Sequence, residues 1–471
     1  MTKNQKPVLH FTPEQNWMND PNGLFFYEGV YHLFYQHNPY EKTWGHMSWG
    51  HAISHDLVKW QHLPIAIREE PANSMTIFSG SAVVDVNNTS GFSKSAISPV
   101  VAIYTADHRP DSELQDIRIA YSLDKGVTFS KYIQNPVLNV NNRKFGDPKV
   151  FWHETSEKWI MVNILGYEQG QIVFYGSADL KHWQFLSEFK AAHAIPGIWE
   201  CPDLFPLPVD GDPNQIKWLL KANGPYRASY FFMGEFDGTC FRNELAGNQA
   251  VEFDFGNLYA EVTWNNIPQS DGRRILIGWI DNKASPLRDW TGIQSIPRQL
   301  ELRSHTTGLK LHQIPVIELQ QVRQQSYSLE EAQLSHYSIN LAEHDLLNGA
   351  LEIIAEVDPG MATHAGFKFT SDADGTREMS LNFNFAGNEL TLQVDKQPDM
   401  KAPVALGRQK IVVRMFIDLE VIEFFINDGE TALASLLPPD FAPESIEFIR
   451  SNNTAKLLRM TVWRLALNAG D

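Results

Sequence analysis

Apolar residues in this chain occur in short runs separated by turn residues, and the spacing of a long amphipathic helix is almost absent. Representative runs are GVYHLFYQHNP (29–39), SAVVDV (81–86), PVVAIYTA (99–106), KWIMVNIL (158–165) and RRILIGWI (273–280). Short apolar runs bounded by Gly, Pro, Asn and Asp are typical of β-strands. The pattern therefore predicts an all-β protein, as a sandwich, a barrel or a propeller.

A recurring motif favours the propeller. Ser-x-Asp followed by an aromatic residue appears as SHDLVKW (54–60), SLDKGVTF (122–129) and SADLKHW (177–183), with a weaker copy in GEFDGTCF (234–241). The intervals between copies suit four-stranded blades, each with a turn near its outer strand. The alternative is that Asp-Leu and Asp-Gly turns recur by chance.

Under the propeller hypothesis, the segment after each copy opens the next blade, and most of the opening segments carry an acidic residue. The five openings are NDPNG (19–23), FSGSAVV (78–84), FGDPKVFW (145–152), WECPDLF (199–205) and NLYAEVTW (257–264). The first strand of a blade lies nearest the central axis, so Asp20, Asp147 and Glu200 are predicted to share one pocket. For each acid taken alone, turn chemistry is the favoured explanation, since Asp before Pro is common in turns. Three acids at equivalent blade positions are harder to attribute to turns, and the aromatic residues nearby, Trp17, Trp44, Phe78 and Trp199, favour a shared site.

The last third of the chain has a different pattern. Alternating strands such as ALEIIAEV (350–357), KIVVRMFID (410–418) and VIEFFIN (421–427) carry no clustered carboxylates and predict a β-sandwich. We therefore predict a propeller domain over 1–311, a linker over 312–329 and a sandwich domain over 330–471.

Composition limits the partners. The 471 residues, 43% of them hydrophobic, are too many for one ordinary core, which agrees with two domains. With 56 acidic against 39 basic residues and no basic block, the net charge of −17 makes nucleic acid and anionic membranes poor partners. Two cysteines form no disulfide framework, and no apolar leader or membrane-length run is present. These features predict a cytoplasmic location, and they leave the oligomeric state undetermined.

The motifs together resemble glycoside hydrolase family 32, the invertase, inulinase and levanase family of β-fructosidases. The resemblance rests on HFTPEQNWMNDPNGLFFYEGVYHLFYQHNP (10–39), WGHAISHDLVKW (49–60), FSGSAV, GDPKVFW, WECPDLF and GRRILIGW (272–279), in that order along the chain. It implies a five-bladed β-propeller followed by a β-sandwich. It also implies hydrolysis with retention at the fructosyl anomeric carbon.

The resemblance assigns roles position by position. Asp20 matches the nucleophile, Glu200 the general acid/base, and Asp147 the carboxylate that binds fructose hydroxyls and stabilises the transition state. Residues that match positions lining the fructose pocket are Asn19, Gln36, Trp44, Phe78 and Ser79.

The expected substrates are the terminal non-reducing β-fructosyl residues of sucrose, fructo-oligosaccharides, inulin or levan, and no cofactor or metal is expected. A fructosyltransferase and a catalytically weak fructan-binding protein are the alternatives. The sandwich is then either a structural lid or a fructan-binding module.

The sequence neighbours of Glu200 and Asp20 predict different pKa values for the two acids. Glu200 lies between Trp199 and the apolar thiol of Cys201, a setting expected to raise its pKa. Asp20 is expected to stay ionised with the help of Asn19 and Asn22. Such a pair gives a bell-shaped pH profile on the acidic side of neutrality.

One position departs from the family pattern. The family has Arg directly before the Asp of the third motif, whereas this chain has Gly146. We predict that another basic side chain approaches Asp147, with Arg118 favoured over Arg143 because a strand holds a side chain rigidly. The alternative is that solvent fills the gap.

Overall fold

In the computed structural model the regular structure is almost entirely β-strand, and the chain divides into two units. It covers residues 4–70, 74–109, 114–166, 170–191, 194–225, 228–330, 338–371, 377–404, 410–439 and 441–467. The larger unit comprises Phe11–Phe253 and Leu258–Leu309, and the smaller comprises Met1–His10, Asp254–Asn257 and Lys310–Asp471. Short turns of 3-10 helix are found at Glu154–Ser156, Ala246–Asn248, Ile317–Val322 and Ala342–His344. No helical segment in these ranges has the length and apolar character needed to cross a membrane.

The larger unit is a five-bladed propeller, as predicted. Blade 1 contains β1 (Asn16–Tyr27), β2 (Val30–Asn38), β3 (Ser48–Ser54) and β4 (Gln61–Ile67). Blade 2 contains β5 (Thr76–Val84), β6 (Val100–Asp107), β7 (Gln115–Ser122), β8 (Ser130–Lys131) and β9 (Leu138–Asn142). Blade 3 contains β10 (Phe145–His153), β11 (Lys158–Leu165), β12 (Gln171–Ser177) and β13 (Gln184–Lys190).

The last two blades follow the same order. Blade 4 contains β14 (Glu200–Val209), β15 (Asp212–Asn223), β16 (Ser229–Phe236) and β17 (Phe241–Asn243), followed by β18 (Val251–Asp254). Blade 5 contains β19 (Leu258–Thr263), β20 (Arg274–Ile280), β21 (Trp290–Thr291), β22 (Ile293–Gln294) and β23 (Arg298–His305). The next strand along the chain, β24 (Gly308–Pro315), begins at the end of the larger unit and continues as part of the smaller one. Because β21 leaves its own blade and pairs in parallel with β1, it joins the last blade to the first.

The Ser-x-Asp motif forms the predicted turns. Each of the three clear copies follows the third strand of its blade, where the Ser hydroxyl donates a hydrogen bond to the Asp carboxylate. The Oγ–Oδ1 distances are 3.1 Å for Ser54–Asp56, 2.6 Å for Ser122–Asp124 and 3.2 Å for Ser177–Asp179. The repeat therefore marks blades rather than chance turns.

Hydrogen bonds join the first strand of each blade to the next around a central cavity. Residues from β1, β5, β10, β14 and β19 line this cavity. The bonds in blade order are Gly80 N to Asn22 Oδ1 at 3.0 Å, Val150 N to Ser81 Oγ at 2.9 Å, Cys201 N to Asp147 Oδ2 at 3.0 Å, Thr263 N to Asp203 Oδ2 at 2.7 Å and Asn265 N to Leu24 O at 2.9 Å. Main-chain donors that would otherwise be unsatisfied in the interior are paired by this ring.

The smaller unit is a β-sandwich, also as predicted. One sheet contains β25 (Arg323–Glu330), β36 (Lys456–Leu465), β27 (Ala350–Asp358), β32 (Ile411–Asp418), β33 (Val421–Ile426) and β34 (Thr431–Leu436). The other contains β26 (Ser338–Asn340), β35 (Ser445–Arg450), β28 (His364–Thr370), β29 (Glu378–Asn384), β30 (Glu389–Val394) and β31 (Met400–Pro403). Phe367 and Phe383 from one sheet share a fully buried core with Phe424 and Val462 from the other.

The predicted linker, 312–329, contains regular structure. It holds the end of β24, the 3-10 turn Ile317–Val322 and most of β25, which pairs with β36. Leu319 and Val322 are buried, because these apolar side chains lie within the smaller unit. The limits assigned to the domains from sequence stay predictions.

A buried ion cluster ties the N-terminal segment into the smaller unit. The carboxylate of Asp418 accepts main-chain hydrogen bonds from Val8 at 2.9 Å and Leu9 at 2.7 Å. The ring of His10 lies 3.0 Å from both Asp418 and Glu423. Burial lowers the pKa of His10, but the two carboxylates outweigh burial and raise it to about 9. His10 is therefore a buried cation at neutral pH.

We expect His10→Gln to destabilise the smaller unit by roughly 3 kcal/mol at pH 7, since it leaves two buried carboxylates without their cation. Because the pKa of His10 is raised in the folded protein, the stabilisation by its charge is fully present below pH 6.5, the pKa of His in the unfolded chain. It is lost as the pH rises through about 9, the pKa in the folded protein. Thermal unfolding of wild type and variant at pH 7 and pH 10 measures the effect. The difference in stability between the two proteins should be smaller at pH 10 than at pH 7. His46→Gln, which removes a half-exposed partner of Glu69, should change stability by less than about 1 kcal/mol. A constant difference at both pH values would contradict the role of charge.

Candidate active site

The first strand of every blade carries a bulge at the same level. In β10 the pairing with β11 shifts between Gly146 and Lys149, so Asp147 and Pro148 face a single residue of the neighbouring strand. The equivalent bulged pairs are 19–20 in β1, 78–79 in β5, 147–148 in β10, 201–202 in β14 and 260–261 in β19. A bulge bends its strand and changes the direction of its side chains. The predicted acids lie in these bulges or directly before one.

Several bulged residues adopt a strained backbone. Asp147, Cys201 and Ala260 hold the first position of their bulges with φ of 52°, 47° and 55°. This left-handed region costs a residue with a Cβ about 1 kcal/mol or more, so the surrounding structure must enforce it. Two of these residues, Asp147 and Cys201, are a predicted acid and the residue directly after one.

Asp20 is held by three side-chain donors. Ser79 Oγ lies 2.7 Å from Oδ2, Asn19 Nδ2 lies 3.1 Å from Oδ1, and the Cys201 thiol lies 3.5 Å from Oδ2. Burial raises the pKa of Asp20, and the hydrogen bonds from Ser79 and Asn19 partly oppose this effect. The charge of Glu200 raises the pKa further.

The role expected for Asn22 is corrected by the structure. Its Nδ2 donates to the main-chain oxygen of Asp20 at 3.0 Å, and its Oδ1 accepts from Gly80 in the ring between blades. Asn22 therefore fixes the backbone around Asp20, whereas Asn19 and Ser79 stabilise the carboxylate itself.

Asp147 lies on the other side of the same thiol. Its Oδ2 accepts a hydrogen bond from Cys201 N at 3.0 Å and lies 3.9 Å from the sulfur. Burial raises the pKa of Asp147 to about 6; the cation of Lys144 lowers it, and the charge of Glu200 raises it. Burial and the neighbouring carboxylates also raise the pKa of Cys201, which stays a neutral thiol between two acids.

Glu200 is placed by two residues that the sequence did not single out. Lys144 Nζ lies 2.5 Å from Oε1, and the hydroxyl of Tyr259 donates to Oε2 at 2.5 Å. Trp199, expected to surround this carboxylate, is 1% exposed and packs in the interior with its indole donating to Ile195 O. The setting of Glu200 is thus polar and charged, which corrects the apolar setting expected from its sequence neighbours.

Three predicted pocket residues lie around this group. Gln36 faces the bulge that holds Asp20 and is 2% exposed, and its Nε2 has no hydrogen-bond partner in the described structure. Trp44 is 55% exposed and meets the ring of Phe78 edge to face at 6.0 Å. A buried donor and two aromatic rings are groups that can bind a sugar hydroxyl and a sugar face.

Family models match almost the whole chain. The Glycosyl hydrolases family 32 N-terminal domain covers residues 10–315, and the Glycosyl hydrolases family 32 C terminal covers residues 318–464. The chain belongs to glycosyl hydrolase family 32. It is therefore a glycoside hydrolase, as the motifs predicted.

Similar proteins are named for fructan and fructoside hydrolysis. The levanase of Bacillus subtilis is 42% identical over 97% of this chain and 70% of its own length. The extracellular exo-inulinase of Aspergillus awamori is 32% identical over 97% of this chain and 94% of its own length. The structure of a β-fructofuranosidase from Schwanniomyces occidentalis complexed with fructosyl-erythritol superposes with a TM-score of 0.86 at 28% identity, covering 99% of this chain and 98% of that chain.

The position of the missing family arginine is filled from a neighbouring strand. A Cβ on Gly146 would lie 2.7 Å from Thr105 Oγ1 and 2.9 Å from Thr105 Cγ2. That hydroxyl accepts from Asp147 N at 2.8 Å and donates to Ser79 O at 3.0 Å. Thr105 therefore requires glycine at position 146, and it connects two of the bulges.

The prediction that Arg118 reaches Asp147 is wrong. Arg118 instead forms an ion pair with Asp116 of its own strand, with an Nε–Oδ1 distance of 2.8 Å. The described contacts of Asp147 include neither Arg118 nor Arg143. Lys144 is the cation that pairs with Glu200 among the described residues.

Sequence reasoning missed Lys144, Tyr259 and Thr105, although two of them left a signal. Tyr259 directly precedes the bulge of blade 5, the same position that Glu200 has in blade 4. Lys144 stands two residues before Gly146, directly next to the third motif. Thr105 is on a second strand, and only the register of β5 with β6 identifies it.

We expect Gly146→Ala to lower kcat/KM on sucrose about tenfold or more, because the new methyl group displaces Thr105 and with it the hydrogen bonds to Asp147 and Ser79. Gly176→Ala is the matched control, since a Cβ there meets only the flexible end of Leu186 at 3.2 Å. Steady-state kinetics of both variants measure the effect. Wild-type kinetics in Gly146→Ala would show that Thr105 has no part in placing the bulges.

Proposed function

We propose that the protein is a retaining β-D-fructofuranosidase that releases terminal non-reducing fructosyl residues from sucrose, fructo-oligosaccharides and fructans. The observation that carries the proposal is the convergence of Asp20 and Asp147 on the thiol of Cys201, with Glu200 directly before that residue. Family membership and the names of the relatives support the substrate class.

The reaction proceeds in two displacements. In the first, Asp20 attacks the anomeric carbon of the fructosyl unit, while protonated Glu200 gives its proton to the departing glycosidic oxygen. In the second, Glu200 takes a proton from water, and the water displaces Asp20 from the anomeric carbon. The donors from Ser79 and Asn19 orient the attacking carboxylate of Asp20.

Asp147 acts on the fructosyl unit through its negative charge and forms no covalent bond to it. As an ionised carboxylate it accepts hydrogen bonds from sugar hydroxyls and stabilises positive charge on the ring in the transition state. Its raised pKa of about 6 means that it is protonated as pH falls below that value. The acidic limb of the activity profile follows from this loss of charge together with protonation of Asp20, whose pKa is also raised.

Product analysis tests the function directly. Purified protein is incubated separately with sucrose, inulin and levan, and free fructose, glucose and longer oligomers are measured. Release of fructose from chain ends without longer oligomers is the expected result. Accumulation of longer oligomers would identify a fructosyltransferase, and no release from any substrate would overturn the proposal.

A cytoplasmic location stays a prediction. The two cysteines are free, which is compatible with a reducing compartment, whereas the exo-inulinase relative is named extracellular. Fractionation of the source cells followed by activity assay decides between the two locations.

We expect Asp20→Ala to lower kcat by about four orders of magnitude or more, because no other carboxylate is positioned to form the covalent intermediate. Asp124→Ala, which removes a turn carboxylate of blade 2, should retain activity and serves as the control. Sucrose hydrolysis by both purified variants measures the effect, and substantial turnover by Asp20→Ala would contradict the mechanism.

Glu200→Gln should lose about 10²-fold or more in kcat/KM on sucrose and far less on a fructoside with a good leaving group, such as fructosyl fluoride. The reason is that acid assistance matters most when the departing oxygen is basic. Glu235→Gln, an exposed carboxylate of the same blade that pairs with Lys217, is the control. Equal losses on both substrates would remove Glu200 from the role of acid.

A further inference from the structure

Lys144 is a nearly buried cation for which neither the motifs nor the two-step reaction provides a role. Its side chain is 16% exposed, and its ammonium lies 2.5 Å from Glu200 Oε1. The backbone is fixed on both sides, since Lys144 N donates to Asn142 Oδ1 at 2.9 Å and Lys144 O accepts from Gly166 N at 3.0 Å. The side chain therefore reaches the acids from a fixed base directly before β10.

Charged and polar groups face Glu200 from several strands of the site. Lys144 faces it from the segment before β10, Tyr259 from β19, and Asp147 and Asp20 from β10 and β1. The thiol of Cys201 adjoins it on β14. Burial lowers the pKa of Lys144, but the charges of Glu200 and Asp147 outweigh burial and raise it. The ammonium thus interacts with two acids at once and stays charged.

The geometry around Gly146 explains why the cation comes from this position. Thr105 occupies the space that a side chain at 146 would need. Lys144, two residues earlier, has a long flexible stem that can pass this blocked position and bring an ammonium to the same group of acids.

We propose that Lys144 is a positioning residue of the fructosidase site: together with Tyr259 it fixes the Glu200 carboxylate, and it supplies the positive charge that position 146 cannot carry. This inference rests on the fructofuranosidase function proposed above. Two donors on opposite oxygens leave Glu200 little freedom to rotate.

The cation contributes to both halves of the reaction. In the first, it makes Glu200 give up its proton to the glycosidic oxygen more readily. In the second, it stabilises the ionised carboxylate that accepts a proton from water. An opposite charge at this distance lowers the pKa of a carboxyl group by about 1 or more.

The pH profile of kcat/KM on sucrose tests the proposal. Lys144→Met should move the alkaline limb of the profile upward by about one pH unit and lower kcat about tenfold. Lys144→Arg, which keeps the charge, should retain the wild-type limb, and Lys144→Gln, which keeps a hydrogen-bonding group without charge, should shift as Lys144→Met does. Lys181→Met, whose ammonium binds Ser90 O at an outer turn, is the matched control and should leave the profile unchanged.

The outcomes distinguish a failure of the role of Lys144 from a failure of the fructofuranosidase function. A Lys144→Met or Lys144→Gln profile that superposes on wild type would overturn the role of Lys144 even if total activity falls, because a structural defect lowers the profile without moving its limbs. A shift in Lys144→Arg as large as in Lys144→Met would also overturn it. If the wild-type protein releases no fructose, the fructofuranosidase proposal fails, and this inference fails with it.

Discussion

The ring of hydrogen bonds between the five inner strands is the constraint on which the site depends. Each first strand of a blade is bulged, and atoms in or near the bulges bond to the next blade, as Thr105 does for Asp147 and Asp147 for Cys201. A strained φ at Asp147 and Cys201 persists because these bonds hold both sides of the bulge. Residues that join neighbouring blades, such as Asp147 and Cys201, therefore also place their own carboxylate and thiol in the site.

Closing the ring in this way brings like charges together. Asp20, Asp147 and Glu200 all act on one another, and burial makes the ionisation of the two aspartates costly. Their hydrogen bonds and the ammonium of Lys144 offset part of this cost. The site is thus less stable than an apolar channel would be, as is common where function requires buried charge.

Buried ion pairs in the adjoining inner strands support the site from within the propeller. Lys221, 2% exposed, pairs with Glu261 at 2.8 Å and donates to Cys201 O at 3.3 Å. Lys149 pairs with Asp203 at 3.2 Å. Removing one member of such a pair would leave an uncompensated buried charge. The hydrogen bond from Lys221 to Cys201 O also holds the backbone of the bulge that carries the thiol.

The sequence by itself determined the all-β class, the two kinds of domain and the blade openings, and it predicted the three acids as site residues. These features are local or periodic: short strands bounded by turns, a repeated Ser-x-Asp turn, and motifs whose order identifies the family. The prediction of Asp20, Asp147 and Glu200 as site residues rests on such motifs, because each lies at or near the start of a first strand.

Tertiary structure decided what surrounds those acids. The partners of Glu200 are Lys144 and Tyr259 rather than its sequence neighbours, because Trp199 turns into the interior while the bulge at Cys201 directs the thiol towards both aspartates. Glycine at 146 is required by Thr105, a residue of another blade. Contacts between blades depend on strand register and bulge position, and the physical reason they escape sequence reasoning is that neither quantity is encoded within one short segment.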